Sequence, residues 1–211
     1  MVGPPFGGRH MRRGARLFLV ATVLLGLPAC STLRLGRPIG VQERGRAAQI
    51  QTILADRAPE IDARSRVAIA DVLMSAEQEH GLDALLALAV MEQESGFRPD
   101  AVSPQGALGL MQINAFVGRS VAEELGIPWR DRRTLFDPVT NVRIGVSYLV
   151  EMLGRFGKRE LALTAYNMGP NRLDDLLASG HRPQYSFSKS VLARRARLQR
   201  IQADPVVVAG F

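Results

Sequence analysis

Two glutamates, Glu92 and Glu94, close an almost wholly apolar run and open a loop rich in glycine and proline, in the stretch AVMEQESGFRPDAVSPQGALGLMQINA from residue 89 to 115. The run from Ala84 to Met91 carries apolar residues on nearly every side, so its helix belongs in a core and its end abuts protein. A carboxyl there faces the negative end of the helix dipole, which disfavours ionisation by roughly 0.3–1 kcal/mol, and burial adds to that. Both effects raise a glutamate pKa toward neutrality, as a general acid requires. Two positions apart, the glutamates cannot share one helical face, so only one of them enters a cleft. Periodicity does not say which, and a pair of solvated glutamates at a fraying end is the alternative.

The neighbouring residues bear on that choice. Gly106 and Gly109 stand three apart in SPQGALGLMQIN, read as a short helical turn, where each glycine costs up to about 1 kcal/mol relative to alanine and so implies close backbone approach. Gln112 offers an amide able to donate and accept, suited to sugar hydroxyls and acetamido groups. Tyr166 and Asn167 sit at a helix end, a ring to stack on a pyranose and a further polar contact. At helical spacing Met111 and Tyr166 also read as core. Taken together, these residues describe a carbohydrate cleft with one acid.

The elements that must position them are helical. A helix runs from about Ala63 to His80 and is ended by Gly81; Asp83 caps the next, which stops at Gly96. An amphipathic helix spans about Asn141 to Phe156, a shorter one covers LALTAYN, Pro170 opens another, and a strongly basic helix covers about Tyr185 to Ile201. No stretch alternates with period two and no repeat is visible. The fold class is all-α, several short helices around a cleft.

The chain has 211 residues, 46% hydrophobic and 22% charged, which suits one domain. Its formal net charge of +7 hints at nucleic acid, but Arg9, Arg12, Arg13 and Arg16 lie in a leading segment, and without them the net is about +3. No nucleic-acid partner is expected. That segment, basic residues followed by LFLVATVLLGLPA, reads as an export signal, with Met11 as a second candidate start. LPAC, Leu27 to Cys30, resembles the lipobox of bacterial lipoproteins, and Cys30 is the single cysteine. Its thiol is the expected lipid attachment point, with an uncleaved anchor and an incidental cysteine as the alternative. By the same resemblance, Ser31 favours the outer membrane. The expected divisions are a signal peptide over 1–29, a tether over 30–44, a helical extension over 45–62, a catalytic domain over 63–202 and a tail over 203–211.

From about Ile69 to Leu192 the chain resembles the soluble lytic transglycosylases, wall-cleaving enzymes with a lysozyme-like fold related to goose-type lysozyme. QESGFRPDAVSPQGALGLMQI, FDPVTNVRIGVSYLVEMLGRFG and LALTAYNMGP match three family motifs in order. The resemblance assigns the catalytic role to Glu94 and leaves Glu92 flanking. It maps sugar contacts onto Ser103, Gln112, Tyr166 and Asn167, with Tyr185 as a further candidate, and makes Met111 structural. Two departures are Asn114 and Ala115, where much of the family has methionine and proline, and His181 and Arg182, where an acid is common. The run Arg194, Arg195, Arg197 and Arg200 reads first as a solvated helix face and second as a contact for anionic wall polymer.

The resemblance implies cleavage between N-acetylmuramic acid and N-acetylglucosamine with a 1,6-anhydro end, in wall turnover or in opening the wall for a secretion or other envelope machine. No metal or cofactor is expected, since His80 and His181 lack ligand spacing with other donors. A muramidase using water and a noncatalytic wall-binding scaffold are the alternatives.

Overall fold

The computed structural model describes residues 41–203. The leader, Cys30 and the residues from 204 onward lie outside that range. Eight α-helices are described: α1 (Val41–Arg57), α2 (Ala63–His80), α3 (Ala84–Glu94), α4 (Ala115–Glu124), α5 (Pro138–Phe156), α6 (Arg159–Met168), α7 (Pro170–Ala178) and α8 (Ser186–Ala203), with a 3-10 turn over Arg132–Phe136 before α5. The described residues form no strand beyond isolated bridges, so the all-α expectation holds. None of their helices is long and apolar enough to cross a membrane.

The core is built around α3. Every residue from Ala84 to Met91 is buried, as the apolar run requires. Helix α3 packs between α8 and α2, while α5 lies against α2, α4 and α6. Gly81 ends α2 at φ +66°, a conformation that favours glycine. Asp83 caps α3 by accepting from the Leu85 amide at 3.0 Å, and Pro170 is the first residue of α7. Other boundaries differ from expectation. Helix α1 begins at Val41, inside the expected tether, and α5 begins at Pro138 under an Asp137 cap, which places Asn141 within its first turn.

Both ends of α3 are fastened by arginines from the same two helices. At its start, the Asp83 carboxylate accepts from Arg46 of α1 at 3.3 Å and from Arg195 of α8 at 2.5 Å. At its finish, Glu92 pairs with Arg57 of α1 at 3.8 Å and with Arg197 of α8. Arg194 of α8 donates to Gln93 at 2.9 Å. The basic face of α8 is therefore not simply solvated. Three of its four arginines are docked on α3.

Candidate active site

The last turn of α3 is tied to the loop that follows it. Ser95 is buried, and its hydroxyl is placed 3.1 Å from the Met91 carbonyl and 2.8 Å from that of Leu110, linking helix end to loop. Gly96 and Phe97 then both adopt left-handed backbone, φ +62° and +66°. This is costly for a bulky residue, and burial of the Phe97 ring holds it there.

The stretch over 101–114 is not the helical turn expected from its sequence. It is an irregular loop closed by two isolated bridges, Val102 with Leu108 and Leu108 with Ile113. Gly109 behaves as its cost implied. A Cβ there would lie 2.3 Å from Asn141 Nδ2 and 2.5 Å from the Leu135 carbonyl. Gly106 has open space around it and serves only its φ of +80°. The close neighbour of Gly109 is the loop's organiser: fully buried Asn141 donates to the Leu108 and Leu135 carbonyls, both at 2.9 Å, and accepts from the Met111 amide at 2.8 Å. Met111 is buried against Gly145, where a Cβ would meet its sulfur at 2.5 Å.

These constraints present Gln112 at the surface of a cavity of about 310 Å³, whose lining also includes Asn114, Tyr148, Tyr166 and Asn167. Gln112 is held at φ +48°. Its side-chain nitrogen donates to the Ala101 and Gly109 carbonyls at 3.1 and 2.9 Å, so what remains for a ligand is the acceptor Oε1. Tyr166 is only 7% exposed, and its hydroxyl donates to the Met111 carbonyl at 2.9 Å. It is therefore a wall and a brace more than an open stacking platform. Tyr148, partly exposed, packs against it with ring centroids 5.3 Å apart.

Glu94 is half-buried, and its carboxyl makes no hydrogen bond or ion pair among the described residues. Burial raises its pKa from 4.5 to about 7. It is not part of the cavity lining; Tyr166 links the two. Burial holds the Tyr166 hydroxyl well above its ordinary pKa, and the nearby charge of Glu94 raises it further.

Gln112, Tyr166 and Asn167 thus share one cavity, with Glu94 beside Tyr166. Ser103 sits in the adjoining loop, where its hydroxyl accepts from the Ala107 amide at 3.0 Å. Tyr185 is placed apart, in a hollow lined by Lys158, Glu160, Leu161 and Lys189. Sequence reasoning missed Tyr148, although it lies in a quoted motif, and it missed α4, for which Asn114 as a helix cap was the available signal. Among the described residues no cluster of three or more His, Cys, Asp or Glu could hold a metal ion.

The class follows from comparison with known sequences: the model of the Transglycosylase SLT domain family matches residues 71–186, and the chain belongs to that family. In particular, it is 37% identical over 109 residues to the soluble lytic murein transglycosylase of Salmonella typhimurium, covering 50% of this chain and 17% of that one. It is 38% identical over 109 residues to the membrane-bound lytic murein transglycosylase C of Sodalis glossinidius, covering 46% and 30%. The crystal structure of the 70-kDa soluble lytic transglycosylase of Escherichia coli aligns with a TM-score of 0.56 at 27% identity, over 75% of this chain and 31% of that one. A complex of a 70-kDa soluble lytic transglycosylase with bulgecin A aligns at 0.58 and 26% identity, again over 75% and 31%. The chain spans less than a third of the length of these relatives. Helix α1 and nearly all of α8 lie outside the family match.

Proposed function

We propose that the chain is a peptidoglycan lytic transglycosylase, cleaving the β-1,4 bond between N-acetylmuramic acid and N-acetylglucosamine. The observation that carries this is the Glu94 carboxyl, without a partner among the described residues and raised to about 7 by burial, next to Tyr166 of a cavity that also presents Gln112, Asn114 and Asn167. Protonated, Glu94 gives its proton to the glycosidic oxygen, and the N-acetylglucosamine departs with a 4-hydroxyl. The substrate's acetamido group stabilises the cation developing at C1. Ionised Glu94 then takes the proton of the muramoyl 6-hydroxyl as O6 bonds to C1, which closes the 1,6-anhydro ring and restores the acid. Oε1 of Gln112 and the Asn167 amide supply polar contacts to the sugars, and Tyr148 and Tyr166 the apolar wall.

The deciding experiment is mass spectrometry of purified sacculi digested by the parent and by Glu94→Gln. Anhydro ends from the parent and none from the variant are expected. Reducing ends would identify a muramidase, and products from the variant would remove Glu94 from the role.

The proposed setting is the periplasmic face of the outer membrane, with Cys30 lipidated and residues 1–29 removed, in wall turnover or in opening the wall for an envelope machine. The LPAC run supports it. Acyl labelling of the full chain should be lost in Cys30→Ala; retained label would refute it.

A further inference from the structure

Helix α8 carries a second polar feature that the proposed chemistry does not use. Ser190, Ala193, Arg194, Arg197 and Arg200 line a hollow of about 300 Å³. The arginines recur every third residue along one side of a helix that contains no acid, and the short side chains of Ser190 and Ala193 open the space between them. Their charges are unequally compensated. Arg197 is paired with Glu92, Arg194 is bonded only to the neutral amide of Gln93, and Arg200 has no partner among the described residues. Arg194 and Arg197 tie this side of α8 to Gln93 and Glu92 in the last turn of α3.

We propose that this groove binds the carboxylates of the acidic peptides carried by glycan strands, so that peptide-bearing strands are preferred over denuded ones. The inference rests on the reading of the chain as a peptidoglycan enzyme. Guanidinium forks match carboxylates in shape and charge. A stripe from residue 190 to 200 extends about 15 Å, long enough to meet more than one acidic group on a polymer. A bilayer is the poorer fit. The apolar residues Val191 and Leu198 of α8 are buried, and among the described residues of this helix Ile201 is the one large apolar side chain that is exposed, so little apolar face is left to enter lipid.

The test measures binding in the Glu94→Gln background, which separates the groove from turnover, by fluorescence anisotropy of labelled glycan strands with their peptides and of the same strands after amidase removal of the peptides. Arg194→Gln/Arg200→Gln should weaken binding of peptide-bearing strands about tenfold at low salt, leave denuded strands unchanged and erase the preference. Arg200→Gln alone, at a side chain with no hydrogen bond or ion pair among the described residues, should show part of the effect with unaltered thermal stability. Equal binding of both strand types by the chain, or equal loss of both in the variants, would overturn the proposal. Arginine-dependent capture of phosphatidylglycerol vesicles without a strand preference would overturn it too. A persisting preference in a chain that yields no anhydro product would uphold the groove while the catalytic reading fails.

Discussion

Glu92 and Glu94 leave the end of α3 into opposite electrostatic settings: Glu92, its side chain 11% exposed, is gripped by Arg57 and Arg197, whereas Glu94 has no ion pair among the described residues and is perturbed by burial. This contrast predicts how stability depends on pH. A carboxyl raised from 4.5 to about 7 on folding leaves the folded chain binding more protons between those values. Stability therefore falls as pH rises through that window, and the full penalty persists above it. Glu94→Gln removes the penalty and should be more stable than the parent above pH 7, by on the order of 1–3 kcal/mol. Below about pH 4.5 the two should converge. Urea denaturation across that range checks it, and a constant difference at every pH would show that Glu94 is not desolvated.

The same pair gives an opposite prediction for Glu92→Gln. Its loss leaves two guanidinium groups near the last turn of α3 without their carboxylate. Their uncompensated charge favours the ionised form of Glu94 and lowers its pKa. Because the proposed first step needs protonated Glu94, the alkaline limb of anhydro-product formation should move down by a few tenths of a pH unit, less at high salt. The rate at the optimum should stay within about threefold, since Glu92 is committed to Arg57 and Arg197. An inactive Glu92→Gln with a normally folded chain would place the acid at the wrong glutamate.

Asn141 governs the loop that presents Gln112. Asn141→Ala strands the Met111 amide and the Leu108 and Leu135 carbonyls. A loss of about 3 kcal/mol or more is expected. Asn141→Asp keeps the volume but turns an oxygen toward two carbonyls, so it should be no better. Chemical denaturation of the three proteins tests this. A cost for Asn141→Ala below about 1 kcal/mol would mean that the loop is held elsewhere.

What could be read without coordinates was local. An unbroken apolar run and a capping aspartate define α3, and Gly81 and Pro170 mark the ends and starts that their backbone preferences dictate. The setting of Glu92 could not be read, because its two arginines lie 35 and 105 residues away on helices whose approach depends on tertiary packing. Asn141 reads as an ordinary helix-start residue, and two of its three partners, Leu108 and Met111, lie thirty or more residues away in the chain. The glycine loop misled in a different way. Positive φ and close approach both select glycine, and neither requires a helix, so Gly106 and Gly109 were placed in the wrong local structure for a partly correct reason. Tyr166 carried two readings, ring contact and core residue; its burial and its bond to Met111 favour the second while leaving it on the cavity wall.

Tyr166→Phe tests how that wall acts. The substitution removes only the oxygen that donates to the buried Met111 carbonyl and keeps the ring against Tyr148. An unsatisfied buried carbonyl costs about 1–3 kcal/mol, so a lower melting temperature is expected. The functional consequence passes through the next residue. Gln112 is held at φ +48°, a conformation that costs roughly 1–2 kcal/mol for a non-glycine residue. A looser Met111 carbonyl gives it room to relax toward ordinary backbone, which would swing Oε1 out of the cavity. Weaker sugar binding should then dominate, with KM for glycan strands rising several-fold and kcat falling less. A hydroxyl acting directly on the reacting sugar would give the reverse: kcat reduced, KM and thermal stability unchanged. Steady-state kinetics on soluble strands, paired with thermal unfolding of the same preparations, separates the two, and the second pattern would refute the bracing role of Tyr166.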